Sequence, residues 1–321
     1  EDSNPLLSGK EGIDRKMIKN YELSNEKKLI STSEMKNFTY VLNPTREEIG
    51  NISEYYDFPF DYLSGILDDY ENARFETDDN DNNLILLQYP ALSNYGEVAT
   101  FPYSLVWTKN ESVILALNHE IDNGLIFERE YDYKRYKHQV IFQVMYQMTH
   151  TFHDYLRDFR TRRRRLEQGI KNSTKNDQIV DLIAIQASLI YFEDALHNNM
   201  QVLQDFIDYL REDDEDGFAE KIYDIFVETD QAYTETKIQL KLLENLRDLF
   251  SNIVSNNLNI VMKIMTSATF VLGIPAVIVG FYGMNVPIPG QNFNWMVWLI
   301  LVLGILLCVW VTWWLHKKDM L

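Results

Sequence analysis

The chain has 321 residues, 48 of them acidic and 30 basic, for a net charge of −18. That balance excludes a nucleic-acid binder, because phosphates require clustered Lys and Arg. It favours cations, which an acidic surface concentrates. The single cysteine, Cys308, excludes an intrachain disulfide and fits a body held in a reducing compartment.

Residues 1–16 lack an apolar stretch, so no cleavable signal peptide is read there. They are expected to be an appended tag or a disordered terminus, with Met17 as the natural start; a native flexible end is the alternative reading. Met17–Leu23 and Lys27–Ser31 read as strands around the turn residues Ser24-Asn25, and Phe38–Leu42 as a third. Asn43-Pro44-Thr45 opens a helix, with Thr45 and Glu48 spaced as a capping box. A second helix is predicted over Phe60–Tyr70. Leu84–Tyr89, Tyr103–Thr108 and Ser112–Asn118 resemble further strands. Residues 17–120 therefore read as an α/β subdomain.

Beyond it the strand signal stops. Glu128–Gly169 and Asn176–Arg211 read as two long helices, with apolar residues three and four apart and no internal proline. The acidic turn Arg211–Gly217 separates them from a third helix. That helix starts near Phe218 and meets no breaker before Gly273 and Pro275; continued to Tyr282 it would span roughly 98 Å. Residues 121–259 thus form a helical region that includes a stem. The fold class is α+β, with an α/β subdomain, long antiparallel helices and a continuous stem helix.

From Ile264 to Leu315 there is no Asp, Glu, Lys or Arg over 52 residues. Two transmembrane helices are predicted, at 260–282 and 295–315, so the lipid bilayer is a partner. Trp295 and Trp298 mark one end of the second span, and Trp310, Trp313 and Trp314 the other, where interfacial rings belong. Lys263 precedes the first span and His316-Lys317-Lys318 follow the second, while the loop 283–294 is uncharged. The positive-inside rule then places both termini, and the basic tail 316–321, in the cytoplasm of a protein of the cell membrane.

One face of the first span repeats at intervals of three and four: Asn259, Met262, Thr266, Thr269, Gly273, Ala276 and Gly280. All but Met262 are small or polar. Such a stripe is either a pore wall or a helix–helix packing seam. Pro275 frees the carbonyl of Val271, which could face a pore or only shape packing. Two spans cannot enclose a pore, so a conducting chain must oligomerise. Five helices about 10 Å apart leave an opening of roughly 3.5 Å radius, a width near that of Mg²⁺ with its waters at about 2.1 Å.

The loop opens with Tyr282-Gly283-Met284-Asn285. An apolar helix ending in these residues, then a short loop and a last span with basic residues behind it, resembles the CorA family of magnesium channels. Ser255–Asn259 with Val261-Met262-Lys263, and Leu42–Thr45 with Glu47-Glu48-Ile49, resemble its stem-to-pore junction and first helix start. The resemblance covers Met17 to Leu321. It implies a funnel-shaped homopentamer, a pore lined by the first span, and an entrance of Gly283, Met284 and Asn285, with an Asn285 ring holding a hydrated cation. The gate is in doubt, because Gly273 stands where relatives often carry a bulky apolar residue; Met262 and Met265 are candidates. The resemblance also implies that Mg²⁺ is both transported and regulatory, bound between one subunit's N-terminal domain and its neighbour's stem.

Among the carboxylates at residues 68–81, and among Asp224, Glu228 and Asp230, the expected sensing residues are Asp68, Asp69 and Asp224. Residues 76–81 are equally a solvated acidic loop. Arg162–Arg165 reads as a helix face paired with Asp158 and Glu167. His150 and His153 are three apart, as zinc ligands can be, but nothing nearby completes a site. There is no phosphate-binding Gly-rich loop, no catalytic constellation and no organic cofactor motif, so an enzyme is not expected. The expected function is a gated channel for passive Mg²⁺ uptake, with Co²⁺ or Ni²⁺ as surrogates, driven by membrane potential and closed by cytosolic Mg²⁺. The alternatives are a zinc transporter of a related branch, since Val286–Asn294 lacks an acidic residue, and a non-conducting membrane-anchored metal sensor.

Overall fold

The computed structural model describes residues 17–93, 96–121, 124–127, 129–170, 176–212, 217–284 and 295–318. The expectation for residues 1–16 lies outside them. The elements are β1 Met17–Leu23, β2 Leu29–Thr32, β3 Phe38–Leu42, α1 Arg46–Tyr56, α2 Asp61–Ser64, β4 Arg74–Thr77, β5 Asn83–Leu92, β6 Val98–Trp107 and β7 Val113–Leu117. The helices α3 Gly124–Phe127, α4 Tyr136–Ile170, α5 Asn176–Leu210, α6 Phe218–Tyr282 and α7 Met296–Lys317 follow. The chain divides into two compact units, one ending at Asn245 and one running from Leu246 to Leu321.

In the first unit the strands form one sheet in the order β2-β1-β3-β7-β6-β5-β4, antiparallel except for the β3–β7 pair. Alternation along the strands gives the sheet two apolar faces. Ile85, Leu87, Tyr89, Tyr103, Leu105 and Trp107 face a core shared with α4, α5 and the start of α6. Leu84, Leu86, Val106 and Ile114 face a second core with Ile49, Ile52 and Leu63 of α1 and α2. The Thr45–Glu48 box forms as predicted: Thr45 Oγ1 accepts from the Glu48 N–H at 3.2 Å, and Glu48 Oε2 accepts from the Thr45 N–H at 2.7 Å.

Several boundaries differ from the sequence reading. The second strand starts at Leu29, because the turn runs on through Lys27, which has φ +63°. The helix predicted over Phe60–Tyr70 is only α2 followed by a 3-10 turn, Gly65–Leu67. At Gly65 the turn presses on the sheet so closely that a Cβ would lie 2.6 Å from Leu86 Cδ1. Asp68 then leaves helical geometry and accepts from the Tyr70 N–H at 3.0 Å. Strand β4 was not predicted. Its charged residues hide the pattern, because Arg74 pairs along the surface with Glu71 at 2.5 Å and Glu76 at 2.7 Å. Helix α4 begins at Tyr136 rather than Glu128. The stretch before it is tied to other parts of the fold, with the Tyr131 N–H donating to the Lys27 carbonyl at 2.7 Å.

Two prolines lie within strands. The pairs Gln88↔Pro102 and Pro90↔Thr100 fall where β5 and β6 extend past their outer neighbours, since β4 reaches only Leu86 and β7 only Tyr103. Gln88 turns its backbone outward there: its N–H donates to Asn199 Oδ1 at 2.9 Å, and its carbonyl accepts from Asn199 Nδ2 at 2.8 Å. Asn199 of α5 therefore finishes the β5 edge in place of a strand. Asn199→Leu leaves both groups buried and unpaired. It is expected to destabilise the first unit by about 2–4 kcal/mol, seen as an earlier thermal transition of the full chain in detergent by circular dichroism.

Within the first unit α6 buries Phe218, Ile222, Ile225, Thr229, Ala232, Thr236, Gln239 and Leu243, alternately four and three apart. The threonines satisfy themselves by donating to carbonyls one turn back, at Ile225 and Ala232. Gln239 accepts from Arg163 Nε of α4 at 3.0 Å.

Candidate functional site

The second unit holds the apolar part of α6 together with α7. Both contain windows long and apolar enough to cross a membrane. Only 6% of the α6 window and none of the α7 window is buried. Core helices of a soluble protein would be covered, so these surfaces suit lipid or other copies of the chain. The Trp295, Trp298, Trp310, Trp313 and Trp314 rings are all exposed, and Lys317 Nζ lies 5.5 Å from the centre of the Trp313 ring.

The two helices meet along a defined face. Ser267 is fully buried, Val271 and Ile278 are half-buried, and a Cβ on Gly304 would touch Ile278 Cδ1 at 3.7 Å. The Val271 carbonyl that Pro275 frees lies 3.6 Å from Cys308 Sγ. It therefore points at α7, which settles the choice left open by the sequence.

At about 100° per residue, the stripe of Asn259, Met262, Thr266, Thr269, Gly273, Ala276 and Gly280 sits about 150° round α6 from the Ser267–Val271–Ile278 face. Gly273 is half-exposed and the other six are exposed. The stripe is therefore not the seam between α6 and its own α7. Thr266, Thr269 and Gly273 border an open apolar groove of about 650 Å³ with Phe270, Ile274, Val277 and Ile278, and Leu307 of α7 forms part of its wall. Thr269 Oγ1 donates to the Met265 carbonyl at 2.9 Å. With its proton engaged, the oxygen can accept from the waters around a cation. Met265 is exposed too, three residues after Met262 and four before Thr269, so it borders the stripe.

At the helix end the Gly283 N–H donates to the Val279 carbonyl at 2.9 Å, and the Met284 N–H to the Phe281 carbonyl at 3.4 Å. Met284 is half-exposed. Asn285 and the loop to residue 294 lie outside the described residues, so the entrance expected at Gly283, Met284 and Asn285 is described only in its first two members.

In the first unit, Asp68, Asp69 and Asp224 are all exposed. Among the described residues no three His, Cys, Asp or Glu side chains come together as metal ligands would within one chain. Asp69 lies near His119, whose imidazole burial pushes below its usual range while the Asp69 charge works against that shift. The neighbouring acidic loop has structural duties. Asp78 accepts from the N–H groups of Asn80 and Asn82, each at 2.8 Å, and Asp81 pairs with Lys109 at 2.8 Å.

Arg162 and Arg163 pair with Asp158 and Glu167 as predicted. Arg162 also reaches Asp181 and Arg160 reaches Glu235. His150 and His153 go separate ways, to Asp154 at 3.3 Å and Glu228 at 3.4 Å. Ser267 and Cys308 were not singled out as residues joining the spans. The available signal was Pro275 itself, since a carbonyl freed in an apolar helix calls for a donor on its neighbour.

A family model described as CorA-like Mg²⁺ transporter protein matches residues 37–317. The Cobalt/magnesium transport protein CorA of Methanocaldococcus jannaschii is 22% identical over 290 residues, which cover 84% of this chain and 87% of that protein. The complete structure of the CorA magnesium transporter from the same organism superposes with a TM-score of 0.76 at 17% identity, covering 95% of this chain and 98% of that one. The full-length CmaX protein superposes with a TM-score of 0.68 at 13% identity, covering 96% and 99%.

Proposed function

This chain belongs to the CorA-like Mg²⁺ transporter family, a family of divalent-cation transporters and not of enzymes, and from that premise we propose that it is a gated channel for passive Mg²⁺ uptake. In this reading five copies form a funnel around a central axis. The α6 stripe lines the pore, the Asn285 ring sits at its outer mouth, and both termini lie in the cytoplasm. The observation that carries the reading is the stripe itself. Small and polar residues run along an apolar helix on a face its own partner helix leaves uncovered, where lipid would gain nothing from Thr266, Thr269 or Gly280.

Mg²⁺ gives up its waters reluctantly. A path of neutral oxygens that hydrogen-bonds those waters suits it, and holds the ion weakly enough for release. The driving force is the membrane potential, which supplies about 4.6 kcal/mol to a divalent ion per 100 mV. We place regulation at Asp68, Asp69 and Asp224. Cytosolic Mg²⁺ bound between one copy's Asp68 or Asp69 and its neighbour's Asp224 would bridge like charges and favour closure. Without the ion their repulsion favours opening.

The test is ion flux into proteoliposomes holding a Mg²⁺-sensitive dye. Mg²⁺ entry is expected under an inside-negative potential, with Co²⁺ and Ni²⁺ competing and with Mg²⁺ preloaded inside suppressing entry. Zn²⁺ entry coupled to a pH gradient would favour a zinc transporter instead. Metal binding without any flux would mark a sensor.

A further inference from the structure

We propose that Cys308 is a positioning residue, whose thiol replaces the backbone donor that Pro275 lacks and ties α7 to α6 at the Val271 carbonyl. Proline in a helix interior has no N–H for the carbonyl four residues earlier. In the hydrocarbon of a bilayer no water is at hand to take its place, and such breaks are tolerated where a neighbouring helix supplies a partner. Cys308 Sγ stands 3.6 Å from the Val271 oxygen, within reach for a thiol donor.

The surroundings fit this role. Pro275, Ile278, Gly304, Ile305 and Cys308 border one apolar cleft between the two helices. Gly304, one turn before Cys308, faces Ile278, where a Cβ on the glycine would lie 3.7 Å from Ile278 Cδ1. The close approach lets a short side chain reach the backbone of α6. The bond holds α7 on the face of α6 away from the stripe, and so fixes which face of α6 is left for the pore. A thiol is a weak donor, so the bond acts through geometry more than strength.

This inference rests on the membrane placement of α6 and α7, so its test reads the bond and not ion passage. Cys308 is the only cysteine, so the infrared S–H stretching band of the full-length protein in liposomes reports on this one thiol. The band is expected at the lowered frequency of a hydrogen-bonded thiol. It should move to the free-thiol position in Pro275→Ala, where the restored N–H competes for the carbonyl.

A double-mutant cycle in thermal unfolding supplies the second arm. Cys308→Ala is expected to lower the transition of the membrane unit, and Cys308→Ser to restore it. In the Pro275→Ala background the loss from Cys308→Ala should shrink by at least half. A free-thiol band in the unmodified protein would overturn the proposal. So would equal losses from Cys308→Ala in both backgrounds, or a failure of serine to rescue.

Discussion

Asn285→Ala is expected to reduce Mg²⁺ entry into proteoliposomes to the level of protein-free vesicles, with the oligomer still intact by size-exclusion chromatography. A cation that keeps its water must be recognised through that water. A carboxamide oxygen accepts from it without a formal charge that would trap the ion. In the proposed pentamer five such oxygens would act together around one axis, and alanine would remove all five at once. Asn285→Asp discriminates further, because a carboxylate ring holds the ion longer; entry should fall while the apparent affinity for Mg²⁺ rises. Entry unchanged by alanine would show that the cation is selected elsewhere along the path.

Gly280→Leu is the second large effect expected. A Cβ added at Gly280 meets nothing within 4 Å, and the same holds at Gly273. The fold of one chain therefore accepts a larger side chain at either position, and replacing glycine even favours the helix by up to about 1 kcal/mol. In the proposed pentamer, five leucines at one level would crowd an opening of roughly 3.5 Å radius. The expected result is an assembled pentamer with no Mg²⁺ entry and an unshifted thermal transition. Dissociation into smaller species would instead identify the stripe as a seam between copies. Ser267→Leu is the matching control. Ser267 is fully buried on the face of α6 away from the stripe, so a leucine there should disturb the packing of α7 and lower the unfolding transition.

The parts of the molecule legible in the sequence are those where periodicity and burial agree. Met17–Leu23, Phe38–Leu42 and Phe218–Tyr282 have the predicted bounds, because apolar spacing and turn residues there are reinforced by the tertiary environment. Strand β4 escaped because it is held by charge pairs at the sheet edge and buries little. The Asn199–Gln88 pair joins residues 111 apart, and no local pattern announces such a contact. The stripe on α6 was readable from spacing alone. What faces it was not, because Ser267 is as small and polar as Thr266 one residue away, and only the position of α7 tells the two faces apart. The expected sensing carboxylates are exposed on the chain, and the pairing proposed for them needs a neighbouring copy that one sequence does not describe.

The projecting half of the β5–β6 ribbon has a consequence before the membrane is ever reached. An open strand edge invites other chains to add to it, a hazard for a polypeptide whose long apolar segments await insertion. Pro90 faces the same outer side as Gln88, so the edge beyond Asn199 has an acceptor but no donor, and Pro102 blunts the opposite side in the same way. The soluble portion thus carries its own guard against intermolecular sheet growth, and replacing these two prolines would expose nascent protein to aggregation without touching the transport pathway.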